Sequence, residues 1–227
     1  MASVAEVLNT LAARADARNL EGMARYGIAI EGRLGVPVPV MRTLAKDIGR
    51  DHRLALGLWR TGVAEARILA SMLDDPARVT PRQAGRWVRD FNSWDICDQV
   101  CQNLFEKAPW AWDMVPVWAG RREEFVRRAG FALLACLAWH DRDAADGRFI
   151  TLFPVLTRGA ADERNYVRKA VNWALRNIGK RNTRLNAAAL KLAREIRLLD
   201  SKAARWIAAD AIRELESPAV RQRLRSR

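Results

Sequence analysis

The chain is poor in the residues that build metal centres, disulfide frameworks and membrane spans. Its 227 residues contain only three cysteines and two histidines. A small, odd cysteine count argues against a disulfide scaffold and fits a reducing compartment. Cys97 and Cys101 stand four apart with no histidine at ligand spacing, so no metal and no cofactor is expected. Cys136 and His140 share the same i,i+4 spacing, but a buried helical thiol is the commoner role for such a cysteine. The longest apolar run, Phe131 to Trp139, is far too short to span a bilayer. The first residues lack the basic start of a secretory signal, and Glu6 interrupts their apolar stretch. A cytoplasmic protein without membrane contact is expected. No convincing period-two stretch occurs, so strands are not expected.

What is abundant is positive charge: 39 Lys+Arg against 26 Asp+Glu, a net of +13. It is unevenly spread. Residues 1–120 hold 15 basic and 14 acidic side chains, whereas residues 121–227 hold 24 and 12. A basic half beside a neutral half points to a surface for a polyanion.

Apolar residues recur at helical spacing throughout, punctuated by Pro37 and Pro39, by Asp74-Asp75-Pro76, by Pro81, Pro109 and Pro218, and by Gly159 and Asp162. Asn92 and Ser93 are good N-cap types before a helix with Asp95 in its first turn. About a dozen helices with short connections result. Trp59, Trp87, Trp139 and Trp206 are expected to pack between helices. Trp110, Trp112 and Trp118 fit either packing or an apolar convex face.

The chain also echoes itself. Val126-Arg127-Arg128-Ala129 resembles Val167-Arg168-Lys169-Ala170, and Arg67 and Arg205 occupy similar settings. With Asp98 added, the series 67, 98, 128, 169, 205 has intervals of 31, 30, 41 and 36, each long enough for two antiparallel helices and their turns. This spacing predicts an all-α fold of HEAT-like repeats, a curved α-solenoid with a basic concave face. One domain is expected over residues 1–216, followed by a basic tail over 217–227. That tail, with four arginines in its last seven residues, is expected to be disordered and to add nonspecific DNA affinity. In the solenoid, Arg67, Asp98, Arg128, Lys169 and Arg205 would face one groove, with Arg176 and Lys180 extending it and Arg42 and Lys46 on the third helix beside it. Four cations and a carboxylate make a track for a phosphate backbone with one odd member.

Trp94 and Asp98 stand at i and i+4, on one helical face. A carboxylate in a basic groove repels phosphate. It either pairs with Arg128 or Lys169, or opposes positive charge that develops on a substrate. The residues alone leave both open.

Several segments resemble the AlkD-type DNA alkylation repair glycosylases, over roughly residues 20 to 215. They are Met23-Ala24-Arg25-Tyr26, Leu34-Gly35-Val36 with Pro39 and Arg42, Ser93-Trp94-Asp95-Ile96-Cys97-Asp98, Val126-Arg127-Arg128-Ala129, and Val167 to Arg176. Ser93 stands where some members carry a tryptophan. The resemblance implies that Asp98 is the catalytic aspartate, that Trp94 and Trp173 flank the lesion's deoxyribose, and that Arg128 lies near the lesion strand. Tyr26, Arg42 and Arg176 match DNA-facing positions.

The implied activity is hydrolysis of the N-glycosidic bond of N3- or N7-alkylated purines in double-stranded DNA, by a monomer. The lesion would stay stacked, an exception to the usual flipping of the target base. Such a purine is cationic and leaves neutral, so no strong acid is needed. A carboxylate beside the sugar stabilises its oxocarbenium character and orients water, and tryptophan faces attract the cation. No lysine Schiff base is required, so hydrolysis without strand cleavage is expected. Rival expectations are a catalytically silent HEAT-repeat protein that recognises unusual DNA structures, and a HEAT-type protein scaffold.

Overall fold

The structure is a computed structural model that describes residues 2–226. Among these residues the regular structure is fifteen α-helices and one short 3-10 turn, Phe105–Lys107, with no strand. The helices form two compact units that part between Trp110 and Ala111.

The first unit contains α1 (Val4–Ala12), α2 (Ala17–Arg25), α3 (Val38–Ile48), α4 (His52–Arg60), α5 (Ala64–Leu73), α6 (Pro81–Arg89) and α7 (Trp94–Asn103). Local chemistry sets the starts. Ser3 and Glu6 form a capping box on α1, Asp51 accepts the Leu54 N–H on α4, and Thr80 accepts the Gln83 N–H on α6 with Pro81 at the first helical position. Helix α5 is the centre of this unit. It packs on α3, α4 and α7, and Ala66, Leu69, Ala70 and Leu73 are fully buried. Trp59 of α4 and Trp87 of α6 stack with ring centroids 3.9 Å apart and planes 2° from parallel.

The second unit contains α8 (Ala111–Ala119), α9 (Glu124–His140), α10 (Asp146–Ile150), α11 (Phe153–Ala160), α12 (Asn165–Gly179), α13 (Thr183–Arg197), α14 (Lys202–Leu215) and α15 (Pro218–Arg225). Helices α9, α12 and α14 pack side by side as one layer, each also against the shorter or outer helix before it. The approach is close. A Cβ on Gly130 of α9 would lie 2.4 Å from the Ala119 backbone nitrogen at the end of α8, so only glycine fits there.

The repeat register holds in detail. Arg67 and Arg205 are the fourth residues of α5 and α14. Asp98, Arg128 and Lys169 are the fifth residues of α7, α9 and α12. The wide interval of 41 between Arg128 and Lys169 is explained by the extra helix α10. Polar ties run at the same period: Trp59 Nε1 to Asp90 (31 residues apart), Trp110 Nε1 to the Val79 carbonyl (31), Asn172 to Asp210 (38) and Asn177 to the Ala135 carbonyl (42). Each repeat thereby satisfies buried polar groups of its neighbour.

Three expectations are corrected. Trp139 and Trp206 are 41% and 38% exposed rather than core, each with an arginine over its ring: Arg223 over Trp139 and Arg168 over Trp206. Gly159 lies inside α11 against Phe131 instead of separating helices; Asp162 does lie in the connection. The C-terminal segment is helical, not disordered: Leu224 is 7% exposed and anchors α15. Arg227 lies outside the described residues.

Candidate active site and nucleic-acid interface

In the first unit the candidate site is the N-terminal half of α7. Trp94 opens the helix and Asp98 follows one turn later on the same face; both are half-buried. Ser93 has the extended backbone of an N-cap (φ −150°, ψ 150°), but its hydroxyl makes no capping bond and is buried without a partner. The expected cap is therefore present in backbone geometry and absent as a hydrogen bond.

What fixes α7 is a set of longer-range ties. The Trp94 indole N–H donates to the Tyr26 carbonyl over 3.1 Å, satisfying an end carbonyl of α2. Arg33 forks onto Asp95 with two contacts of 2.7 Å and donates to the Ala29 carbonyl; its side chain is 2% exposed and that of Asp95 15%. Glu65 of α5, fully buried, accepts the backbone N–H groups of Leu34 and Gly35 at 3.1 and 2.8 Å. Gly35 has φ +76°, and a Cβ there would meet the Asp16 carbonyl oxygen at 2.2 Å. The segment after α2 is thus held by one carboxylate from α7 and one from α5, which leaves Tyr26, 77% exposed, beside Trp94.

These ties also give Asp95 its role. Asp95 is neutralised by a buried arginine, so it holds the helix. Asp98 shares the half-buried face of α7 with Trp94. Arg33, Asp95 and Glu65 were not among the sequence candidates. The signal available for them was spacing: Leu34 and Glu65 are 31 residues apart, one repeat interval.

Arg42 is exposed on α3, as is Lys46 one turn on. Arg67 is folded inward. Its guanidinium lies 5.2 Å from the Trp59 ring centroid and donates to the Asp90 carbonyl at 3.2 Å, with the side chain 17% exposed.

In the second unit Arg128 is 5% exposed and donates from Nη1 to the Tyr166 carbonyl at 2.6 Å. Lys169 on α12 is exposed, and Trp173 one turn later is half-buried. Arg176 and Lys180, further along the same helix, both reach Glu214 of α14, at 2.5 and 2.7 Å, and Arg176 also reaches Asp210 at 3.2 Å. Their charge is largely compensated within the protein. Arg205 has a side chain 52% exposed and lies 3.5 Å from the fully exposed carboxylate of Asp200.

The connections before α9, α12 and α14 are tied sideways. Arg164 donates to the Arg122 carbonyl, and Glu163 accepts from the Ser201 hydroxyl and the Ala203 N–H. Those two bonds hold the Glu163 carboxyl below the ordinary glutamate range. Asp162 is pushed up by burial, but the Arg164 side chain, its backbone N–H and Arg127 together outweigh that and leave it lowered.

All three cysteines are buried. No helix among the described residues is long and apolar enough to cross a membrane.

The fold and its repeat register define a class: all-helical, HEAT-like repeat proteins. A solved protein aligns with this chain at a TM-score of 0.80 and 19% identity, over 98% of this chain and 96% of its own; it belongs to "a new family of proteins related to the HEAT-like repeat DNA glycosylases with affinity for branched DNA structures". An engineered protein aligns over 78% of the chain at a TM-score of 0.38 and 13% identity. No curated protein matches the chain. The model of the DNA alkylation repair enzyme family matches residues 7–215, and the chain belongs to that family.

Proposed function

We propose that this protein is a monofunctional DNA glycosylase that hydrolyses the N-glycosidic bond of cationic N3- and N7-alkylated purines in duplex DNA, without base flipping. The observation that carries the reading is the placement of Trp94 and Asp98 on one helical face of α7. A buried Arg33–Asp95 fork holds the helix, and Trp94 and Asp98 occupy one half-buried face beside the exposed Tyr26.

In the proposed reaction the C1′–N bond breaks and its electrons neutralise the cationic purine. The sugar gains oxocarbenium character, which the Asp98 carboxylate stabilises electrostatically. Water adds to C1′ and passes a proton to Asp98, leaving free alkylpurine and an abasic site. The electron-rich face of Trp94 attracts the cationic sugar. In the second unit, Trp173 is assigned a similar role, Arg128 a role toward the lesion strand, and Lys169 and Arg205 contacts to phosphates. Tyr26, Arg42, Arg67, Arg176 and Lys180 complete the proposed DNA contacts. The protein would act as a monomer in the cytoplasm.

A second reading is a non-catalytic protein that recognises branched DNA. It is favoured by the description of the structural neighbour, whose likeness at 19% identity extends to the fold. One experiment separates the two. Methylated duplex DNA and an undamaged four-way junction are each incubated with the protein. Release of free alkylpurine supports the glycosylase; tight junction binding with no release supports the alternative.

A further inference from the structure

Helix α15 is an arginine-bearing element that the proposed site does not use. Between Pro218 and Arg225 it contains Arg221, Arg223 and Arg225 and no acidic residue. It is firmly docked. Ser217 caps it, Pro218 starts it, Leu224 is buried, and the Arg223 guanidinium lies 5.5 Å from the Trp139 ring centroid at the end of α9. Arg221 and Arg225 are i and i+4, exposed, and line one open groove with Gln222 and Ser226.

The carboxylates of α14 and of the turn after it already have cationic partners. On α14 and the turn after it, Asp210 pairs with Arg176 and Arg213, Glu214 with Arg176 and Lys180, and Glu216 with Arg194. The positive charge of α15 therefore has no compensation from these side chains, and a fixed uncompensated pair of arginines suits an anion. Trp139, which α15 contacts, lies eleven residues beyond Arg128 on α9. At 1.5 Å per residue that is about 16 Å from the candidate position, at the other end of the helix.

We infer that Arg221 and Arg225 form a second DNA contact, which grips backbone phosphates independently of sequence and of any lesion. The inference rests on the DNA-acting reading above. A disordered basic tail attracts DNA diffusely; a docked helix places two arginines at helical spacing, so their contribution is counted as discrete contacts.

The test measures binding to undamaged duplex DNA across a salt series for the wild type, for R221Q/R225Q, and for R78Q/R82Q, which removes the same charge from exposed positions elsewhere. The salt slope is expected to fall by about 1.8 in R221Q/R225Q, from about 0.9 per lost phosphate contact. It should remain unchanged in R78Q/R82Q, and single-turnover excision at saturating methylated DNA should persist in both variants. An unchanged slope in R221Q/R225Q, or an equal fall in R78Q/R82Q, overturns this inference while leaving the glycosylase reading intact. Absence of DNA binding by the wild type overturns both.

Discussion

The two units use charge in opposite ways. Up to Trp110 the chain has 15 basic and 13 acidic side chains; from Ala111 onward it has 24 and 13. In the first unit the decisive ion pair is isolated and buried. Arg33 and Asp95 pair with one another, and together with Glu65 they fix the segment that carries Tyr26 to α7. In the second unit pairs are shared and partly exposed: Arg176 and Lys180 divide Glu214, and Arg127 and Arg164 divide Asp162. The near-neutral unit sets the shape of its candidate site with a buried pair, whereas the basic unit keeps an excess of cations, exposed Lys169 among them, beyond its internal pairs.

The largest expected effect probes that contrast directly. Asp95→Ala strands the Arg33 guanidinium in a buried site and should cost about 3–5 kcal/mol. Arg176→Ala removes a half-exposed member of a shared network, where Lys180 still serves Glu214, and should cost about 1 kcal/mol or less. Urea unfolding of the two variants measures both. Similar losses would mean that isolation and burial do not separate the units.

A smaller effect concerns DNA. Lys169→Gln should lower the salt slope of duplex binding by about 0.9, one phosphate contact. Lys180→Gln should change it less, because Glu214 already holds that ammonium. Equal slopes for the two variants would show that internal pairing does not decide which cations reach phosphate.

The smallest is a pH effect in the second unit. The Asp162 carboxyl is lowered in the folded protein, so its contribution to stability is present above the ordinary aspartate value. It is lost as pH falls through the folded value, below about 4. Unfolding midpoints followed from pH 6 to pH 3 should fall less steeply for Asp162→Asn than for the wild type. Parallel curves would show that the Asp162 charge does not contribute to stability.

Much of this organisation is legible in the residues. The series from Arg67 to Arg205 places every member at the fourth or fifth position of its helix, because a repeat conserves the packing of one helical turn. What escapes is side-chain commitment. Ser93 is a good cap by type, yet whether its hydroxyl meets a backbone N–H depends on a rotamer that spacing does not encode. Trp139 and Trp206 read as core because tryptophan usually packs between helices; here arginines cover their outer faces instead. Arg67 and Arg128 read as groove cations, and the structure engages both with backbone carbonyls of the next repeat. The arginines of the C-terminal segment suggest disorder, but a single Leu224 and the Arg223–Trp139 contact dock it.

The proposed reaction assigns the chemistry to Asp98 and not to its neighbour Asp95. The direct measurement is single-turnover release of free alkylpurine from methylated duplex DNA, comparing the wild type with Asp98→Asn at saturating protein. Loss of transition-state charge stabilisation predicts a fall of about 10²–10³-fold or more in rate, with duplex binding retained. Undiminished release by Asp98→Asn would rule out this role for Asp98.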